Sequence, residues 1–149
     1  MNIASLLLPK SMVTYLYEDF SIRQAIEKMK YHGYASMPVL TRENQYIGTL
    51  TEGDLLWFFV EQNEICQGNL YEMEKISIKK AMRGSHCEPV YIDTKSEELI
   101  ARAMVHDFVP VVDDRDSFIG IIKRGTVMEK LVKERNQLDY EEIFASLLT

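Results

Sequence analysis

The chain has 149 residues, 46% hydrophobic and 27% charged: enough for one compact domain, too few for two ordinary independent ones. A net charge of −6 and an isoelectric point near 5.1 exclude nucleic acid as the main partner, because phosphate backbones demand basic surfaces. The longest apolar runs, Leu6-Leu7-Leu8 and Leu55 to Val60, are far shorter than the ~20 residues that span a bilayer.

Ile3 to Leu8 reads as a short apolar helix stopped by Pro9, and Val13 to Leu16 as a strand. Ser21, with Gln24 three residues on, caps a helix whose stripe is Ile22, Ala25, Ile26 and Met29. Gly33-Tyr34 ends it. Met37 to Leu40 and Tyr46 to Leu50 are strands around the polar turn Thr41 to Gln45. A helix from Asp54 to Glu61 is apolar on every side and is expected to be buried on most faces. Residues 62–77 form a polar connector, and Ile78 to Met82 a helical turn. Val90 to Ile92 is strand-like, and Thr94 or Ser96 caps a helix through Met104. Val109 to Val112 and Phe118 to Ile122 are strands, and Val127, Met128, Leu131 and Val132 mark the next helix. Asp139 and Glu142, at capping-box spacing, start a separate amphipathic helix with Tyr140, Ile143, Phe144 and Leu147 on one face.

The second half repeats the first. Pro38-Val39-Leu40, Tyr46-Ile47-Gly48 and Gly53 return as Pro110-Val111-Val112, Phe118-Ile119-Gly120 and Gly125, each 72 residues later (110 − 38, 120 − 48, 125 − 53). A constant offset across a polar loop means two copies of one supersecondary unit. The expected fold is α/β: two β-α-β-β-α units with pseudo-two-fold symmetry, plus short terminal helices. The first copy with its N-terminal helix is assigned to 1–68, the second with its C-terminal helix to 69–149. Their sheets should pack face to face, with the Pro-Val strands near the axis. The copies differ at one connection: Met29 precedes Pro38 by nine residues, whereas Met104 precedes Pro110 by six. Pockets built there cannot be identical.

Met37-Pro38-Val39-Leu40, Tyr46-Ile47-Gly48-Thr49-Leu50 and Thr51-Glu52-Gly53-Asp54 resemble the pattern of a CBS domain. Val109-Pro110-Val111-Val112-Asp113 and Phe118-Ile119-Gly120-Ile121-Ile122 are its second copy, which departs from the pattern at Lys123-Arg124-Gly125-Thr126. The two together resemble the tandem arrangement called a Bateman module. Gly33-Tyr34-Ala35-Ser36-Met37 and the Lys123-Arg124 pair look similar to the small stand-alone CBS-pair proteins of Gram-positive bacteria, some of which bind cyclic di-AMP.

The resemblance implies a regulatory module that binds an adenosine-containing nucleotide (AMP, ADP or ATP type) between its copies and signals to a partner protein. It implies that Asp54 and Thr51 hold a ribose; the alternative is an ordinary helix cap, which stabilises by ~1 kcal/mol. Lys123 and Arg124 are candidates for a phosphate, or else a solvated surface pair. Tyr34, Ala35, Ser36, Met37 and Pro38 would line an adenine slot, with Thr14 beside it, or Tyr34 and Met37 would be core residues. With Thr126 standing where the second aspartate belongs, one nucleotide per chain is expected, on Asp54 with its phosphate toward Lys123 or Arg124. The other functional readings are a cyclic di-AMP receptor and a protein-interaction dimer with decayed ligand sites.

The three histidines share no metal spacing, and no nucleophile-elbow or Gly-rich phosphate motif occurs, so the chain reads as a non-enzyme without catalytic cofactor or metal. His86 and Cys87, as neighbours on an extended chain, should point to opposite faces. Cys66 and Cys87 lack C-x-x-C spacing, and no secretory signal is expected because Pro9-Lys10 interrupts the first apolar stretch. Both features point to reduced thiols and a cytoplasmic protein without membrane attachment. A homodimer is expected through the apolar surfaces Leu6-Leu7-Leu8 and Tyr140, Ile143, Phe144 and Leu147.

Overall fold

Two three-stranded sheets, each built round one hairpin, carry the molecule. The structure, a computed structural model, describes residues 1–61 and 70–148. The boundary expected between 68 and 69, the first half of the 62–77 connector, and Cys66 lie outside the described residues.

The first sheet orders β2 (Leu16–Tyr17), β3 (Ser36–Leu40) and β4 (Tyr46–Thr51); the second orders β1 (Leu8–Pro9), β6 (Phe118–Lys123) and β5 (Phe108–Val112). The hairpins are duplicates in register. Ser36 opposes Thr51 as Phe108 opposes Lys123, Val39 opposes Gly48 as Val111 opposes Gly120, and each ladder slips at the next residue. Even the turns agree: Asn44 and Asp116 both take positive φ, at 66° and 61°, a conformation Asn and Asp tolerate. Parallel pairing is also duplicated, Leu16 beside Val39 and Val90 beside Val111. The second copy's leading strand, expected over Val90 to Ile92, is reduced to that single bridge.

Each copy's lead-in crosses to the other copy. Leu8 and Pro9 pair with Ile121 and Gly120, while the Thr49 N–H donates to the Ser85 carbonyl at 2.8 Å. Ile3 is buried in the second core with Leu6 and Leu7 against it; Ile78 and Ala81 are buried in the first. Of the expected Leu6-Leu7-Leu8 dimer surface, Leu6 and Leu7 are partly buried against the chain's own second core and Leu8 against the cluster between the sheets. Between the sheets, Leu40 and Tyr46 pack with Phe108, Phe118 and Ile121. The Phe118 N–H donates to the Asn44 carbonyl at 2.8 Å, and Asn44 Nδ2 donates back to the Phe118 carbonyl at 2.9 Å, so the hairpins are stitched together.

Helix α1 is Ile3–Leu6, shorter than expected because Leu8 already belongs to a strand. Helix α2 (Ile22–His32) starts on the full Ser21–Gln24 capping box and ends on Gly33 at φ 70°, as its sequence predicts. Helix α3 (Glu52–Glu61) buries Leu55 and Phe58 but leaves Leu56, Trp57 and Val60 more than half exposed. The expectation of burial on most faces fails, because only one face of α3 meets this chain's core. Helix α4 is Leu70–Met73, and the expected turn after Ser77 is a 3-10 turn at Ile78–Lys80.

Helix α5 (Ser96–Val105) has Lys95 at its N-cap with no side-chain cap, which corrects both Thr94 and Ser96. Thr94 Oγ1 instead accepts from the Tyr91 N–H at 2.8 Å, and Ser96 Oγ donates to the Met1 carbonyl. Helix α6 runs unbroken for 25 residues, Arg124–Leu148. The separate helix expected at Asp139 does not exist, because no Gly or Pro stands between Thr126 and Leu148 to break the first. Tyr140, Ile143, Phe144 and Leu147 are exposed along its projecting end. Among the described residues no helix is long and apolar enough to cross a membrane.

Candidate functional site

Because strand starts of one copy lie beside helix starts of the other, each copy contributes half of two clefts. The larger, of about 640 Å³, takes Thr14, Gly33, Tyr34, Ala35, Ser36 and Pro38 from the first copy. Facing them are Asp107, Phe108 and Ile121 with Lys123 at the end of β6 and Thr126 and Glu129 along the start of α6. The smaller, of about 170 Å³, reverses the arrangement: Thr49 and Thr51 lead toward α3 on one side, His106, Asp107 and Phe108 lie on the other, and His86 and Cys87 close it. Ser36, Asp107 and Phe108 border both.

Six of the predicted residues therefore share one cleft: Thr14, Tyr34, Ala35, Ser36, Pro38 and Lys123. Thr51 lies in the other. Met37 is fully buried in the first core, so its side chain lines neither. Asp54 is 4% exposed and lines neither. Its Oδ2 accepts from the Thr51 N–H at 3.0 Å, and Thr51 Oγ1 accepts from the Asp54 N–H at 3.0 Å. That reciprocal pair is the helix cap weighed in the sequence. A single pocket uniting Asp54, Tyr34 and Lys123 is not what the chain builds.

The start of α6 is chemically different. Lys123 and Thr126 stand at the places of Thr51 and Asp54, and among the described residues no side chain accepts from the first N–H groups of this helix. Uncapped N–H groups and the helix dipole favour an anion there. Lys123 is exposed and makes no ion pair among the described residues. Arg124 is committed elsewhere: its Nε donates to the Ala103 and His106 carbonyls at 2.9 and 3.0 Å, and its guanidinium lies 3.3 Å from Asp107. Ser36 Oγ donates to the other Asp107 oxygen at 3.2 Å, so this carboxylate ties the first copy to the second between the clefts. At the mouth of the larger cleft the Tyr34 ring stacks on His32, centroids 5.5 Å apart and nearly parallel.

His86 and Cys87 both border the smaller cleft, His86 exposed and Cys87 buried in the second core. Burial pushes the Cys87 thiol up to about 11, so it is not a nucleophile at neutral pH. His86 packs its ring 5.2 Å from that of Tyr46, whose hydroxyl burial holds above its usual range. Among the described residues no cluster of His, Cys, Asp and Glu could hold a metal ion. Sequence reasoning missed Asp107, Phe108 and Glu129 as cleft residues. The repeat offset carries the missing signal, since Asp107 and Phe108 are the equivalents of Ala35 and Ser36.

A duplicated hairpin unit with exchanged lead-ins and two inter-repeat clefts defines a tandem-repeat module. The CBS domain model matches residues 5–61 and 79–133, and the chain belongs to this family. Among solved structures it is similar to CbpB in complex with c-di-AMP, at a TM-score of 0.78 and 20% identity over 95% of this chain and 91% of that one. It is also similar to CBSX2 in complex with AMP, at a TM-score of 0.70 and 20% identity, covering 90% and 98% of the two chains. Identities this low speak for the fold. A homoserine O-acetyltransferase of Methanococcus vannielii is 27% identical over 114 residues, 75% of this chain. The match spans only about a fifth (21%) of that enzyme's length.

Proposed function

We propose that the protein is a regulatory module that holds an adenine nucleotide in its larger cleft. The observation that carries this reading is the junction of Tyr34-Ala35-Ser36 with Lys123 and the uncapped start of α6, enclosing about 640 Å³. Small-molecule sites run from ~300 to 1,000 Å³. The larger cleft falls in that range and the smaller, at about 170 Å³, below it. The base stacks toward Tyr34 and Pro38, Thr14 and Ser36 offer hydroxyls, and the phosphate meets Lys123 and the α6 N–H groups. The likeness to CbpB with c-di-AMP and to CBSX2 with AMP supports an adenine nucleotide as the ligand class. Thr51 borders the smaller cleft, and Asp54 caps α3 behind it.

Such a ligand touches both copies and favours one packing of them, which is the population shift a sensor needs. The surface that changes is then read by a partner protein. Calorimetry with AMP, ATP and cyclic di-AMP tests the reading. One site per chain, lost in Tyr34→Ala and weakened in Lys123→Ala, supports it; no heat and no thermal shift with any of the three overturns it.

The homodimer is part of the proposal, on a different surface from the front of the chain. Leu56 and Val60 on α3 and their equivalents Met128 and Val132 on α6 are all more than half exposed, with Trp57 among them. An apolar patch repeated by the pseudo-symmetry suits a two-fold contact. Light scattering is expected to give a dimer mass that Leu56→Asp with Val132→Asp converts to a monomer; a monomeric parent overturns it.

A further inference from the structure

We propose that Glu129 limits the larger cleft to ligands presenting a single phosphate or phosphodiester at Lys123, and discriminates against polyphosphates. The inference rests on the nucleotide reading of this cleft and names the class of nucleotide it takes. Among the described residues, the charged ones lining it are one cation, Lys123, and two carboxylates, Asp107 and Glu129. Arg124 adds no second cation, because its guanidinium is held by two carbonyls and by Asp107.

Glu129 follows Thr126 by three residues on α6, so the two share the face that looks into the cleft. Its carboxylate also lies 3.0 Å from Lys133 Nζ, four residues further along the helix, and so draws that ammonium to itself. A phosphate at Lys123 therefore finds one cation and the helix start. A second or third phosphate along the same helix meets Glu129 and a Lys133 already spoken for. The device belongs to the second copy alone: the residue at the equivalent place in the first is Trp57.

Both Glu129 and Lys133 are exposed, at 67% and 70% of their side-chain surface, so the discrimination is a screened one of roughly fivefold to tenfold. It should shrink as salt is added. Full-length protein is titrated calorimetrically at low ionic strength with adenosine, AMP and ATP without metal. The parent is expected to bind AMP at least ~5-fold more tightly than ATP. Glu129→Gln should raise ATP affinity by about that factor, since it removes a carboxylate and releases Lys133, while adenosine binding stays unchanged. Glu129→Lys should go further and reverse the preference. The same melting temperature in the variants confirms intact folds, as expected for an exposed helix position. ATP bound as tightly as AMP by the parent, or a Glu129→Gln effect equal on adenosine and ATP, overturns the inference while leaving the nucleotide reading standing. If the parent binds none of the three, the reading of the cleft falls and the inference with it.

Discussion

The two hairpins match residue for residue, yet the clefts beside them differ nearly fourfold, about 640 against 170 Å³. What is duplicated is the frame: the register, the slip in each ladder and the left-handed turn residue at Asn44 and Asp116. What differs are the connections and the helix starts. The first copy reaches β3 through Gly33, Tyr34 and Ala35, all exposed, while the second reaches β5 three residues sooner. The first caps its helix internally with Thr51 and Asp54; the second places Lys123 and Thr126 there, and beyond Arg124, whose N–H donates to the Asp107 carbonyl, its first N–H groups have no side-chain partner among the described residues. A duplicated frame can thus carry two clefts whose chemistry diverges, because the connections and helix starts that differ lie outside the repeated hairpins.

The largest break in the symmetry of the frame is expected at the paired glycines. A Cβ on Gly120 would run into the Leu8 carbonyl, and backbone in a paired strand has no room to yield. One on Gly48 would meet the mobile end of Met82 at 2.9 Å and the Ser85 carbonyl at 3.2 Å. Gly120→Ala should therefore cost about 3 kcal/mol or more, and Gly48→Ala about 1–2. Thermal melts should show a loss of ~6–12 °C for the first and about half that or less for the second. Equal losses would mean that β1 is held loosely enough to move aside.

The contrast between helix starts is sharpened by removing Lys123, the cation that lines the larger cleft. Lys123→Ala should weaken AMP and cyclic di-AMP by about tenfold to a hundredfold, the worth of a charge-assisted hydrogen bond, and adenosine by less than about twofold. Arg124→Ala should instead act mainly on stability, since its guanidinium holds the end of α5 to Asp107. Calorimetry beside a melting curve separates the two. If Arg124→Ala weakens binding as much as Lys123→Ala without lowering the melting temperature, the roles assigned to this pair are reversed.

The hairpins and helix α2 were legible because local chemistry and the repeat offset agree on them: Ser21 with Gln24, Gly33, and the Pro-Val and Ile-Gly pairs. Two things were not. The spacing of Asp139 and Glu142 mimics a helix start, but a capping signature marks a start only where something upstream ends the previous helix, and nothing from Val127 to Leu138 does. The composition of the clefts was hidden for a different reason. Which strand start meets which helix start is decided by the exchange of lead-ins, Leu8 onto β6 and Ser85 onto β4, a long-range choice with no local signature. The resemblance puts Asp54 with Tyr34 and Lys123, whereas the larger cleft joins Tyr34 to Lys123 without Asp54.

The smallest effect tests that separation most directly. Asp54 is buried and its visible work is to cap α3, so Asp54→Ala should cost about 1 kcal/mol of stability, the usual worth of a cap. Nucleotide affinity in the larger cleft should change by less than about twofold, because Asp54 lines none of it. The complementary change imposes the first copy's chemistry on the second. Lys123→Thr with Thr126→Asp would build a capping box at the start of α6, gaining up to about 1 kcal/mol while occupying the N–H groups that an anion needs. Melting temperature and nucleotide affinity should then move in opposite directions. A loss of affinity of tenfold or more in Asp54→Ala, with the double variant binding as the parent does, would return the nucleotide to the Asp54 side of the molecule. It would also make the smaller cleft one that opens on binding.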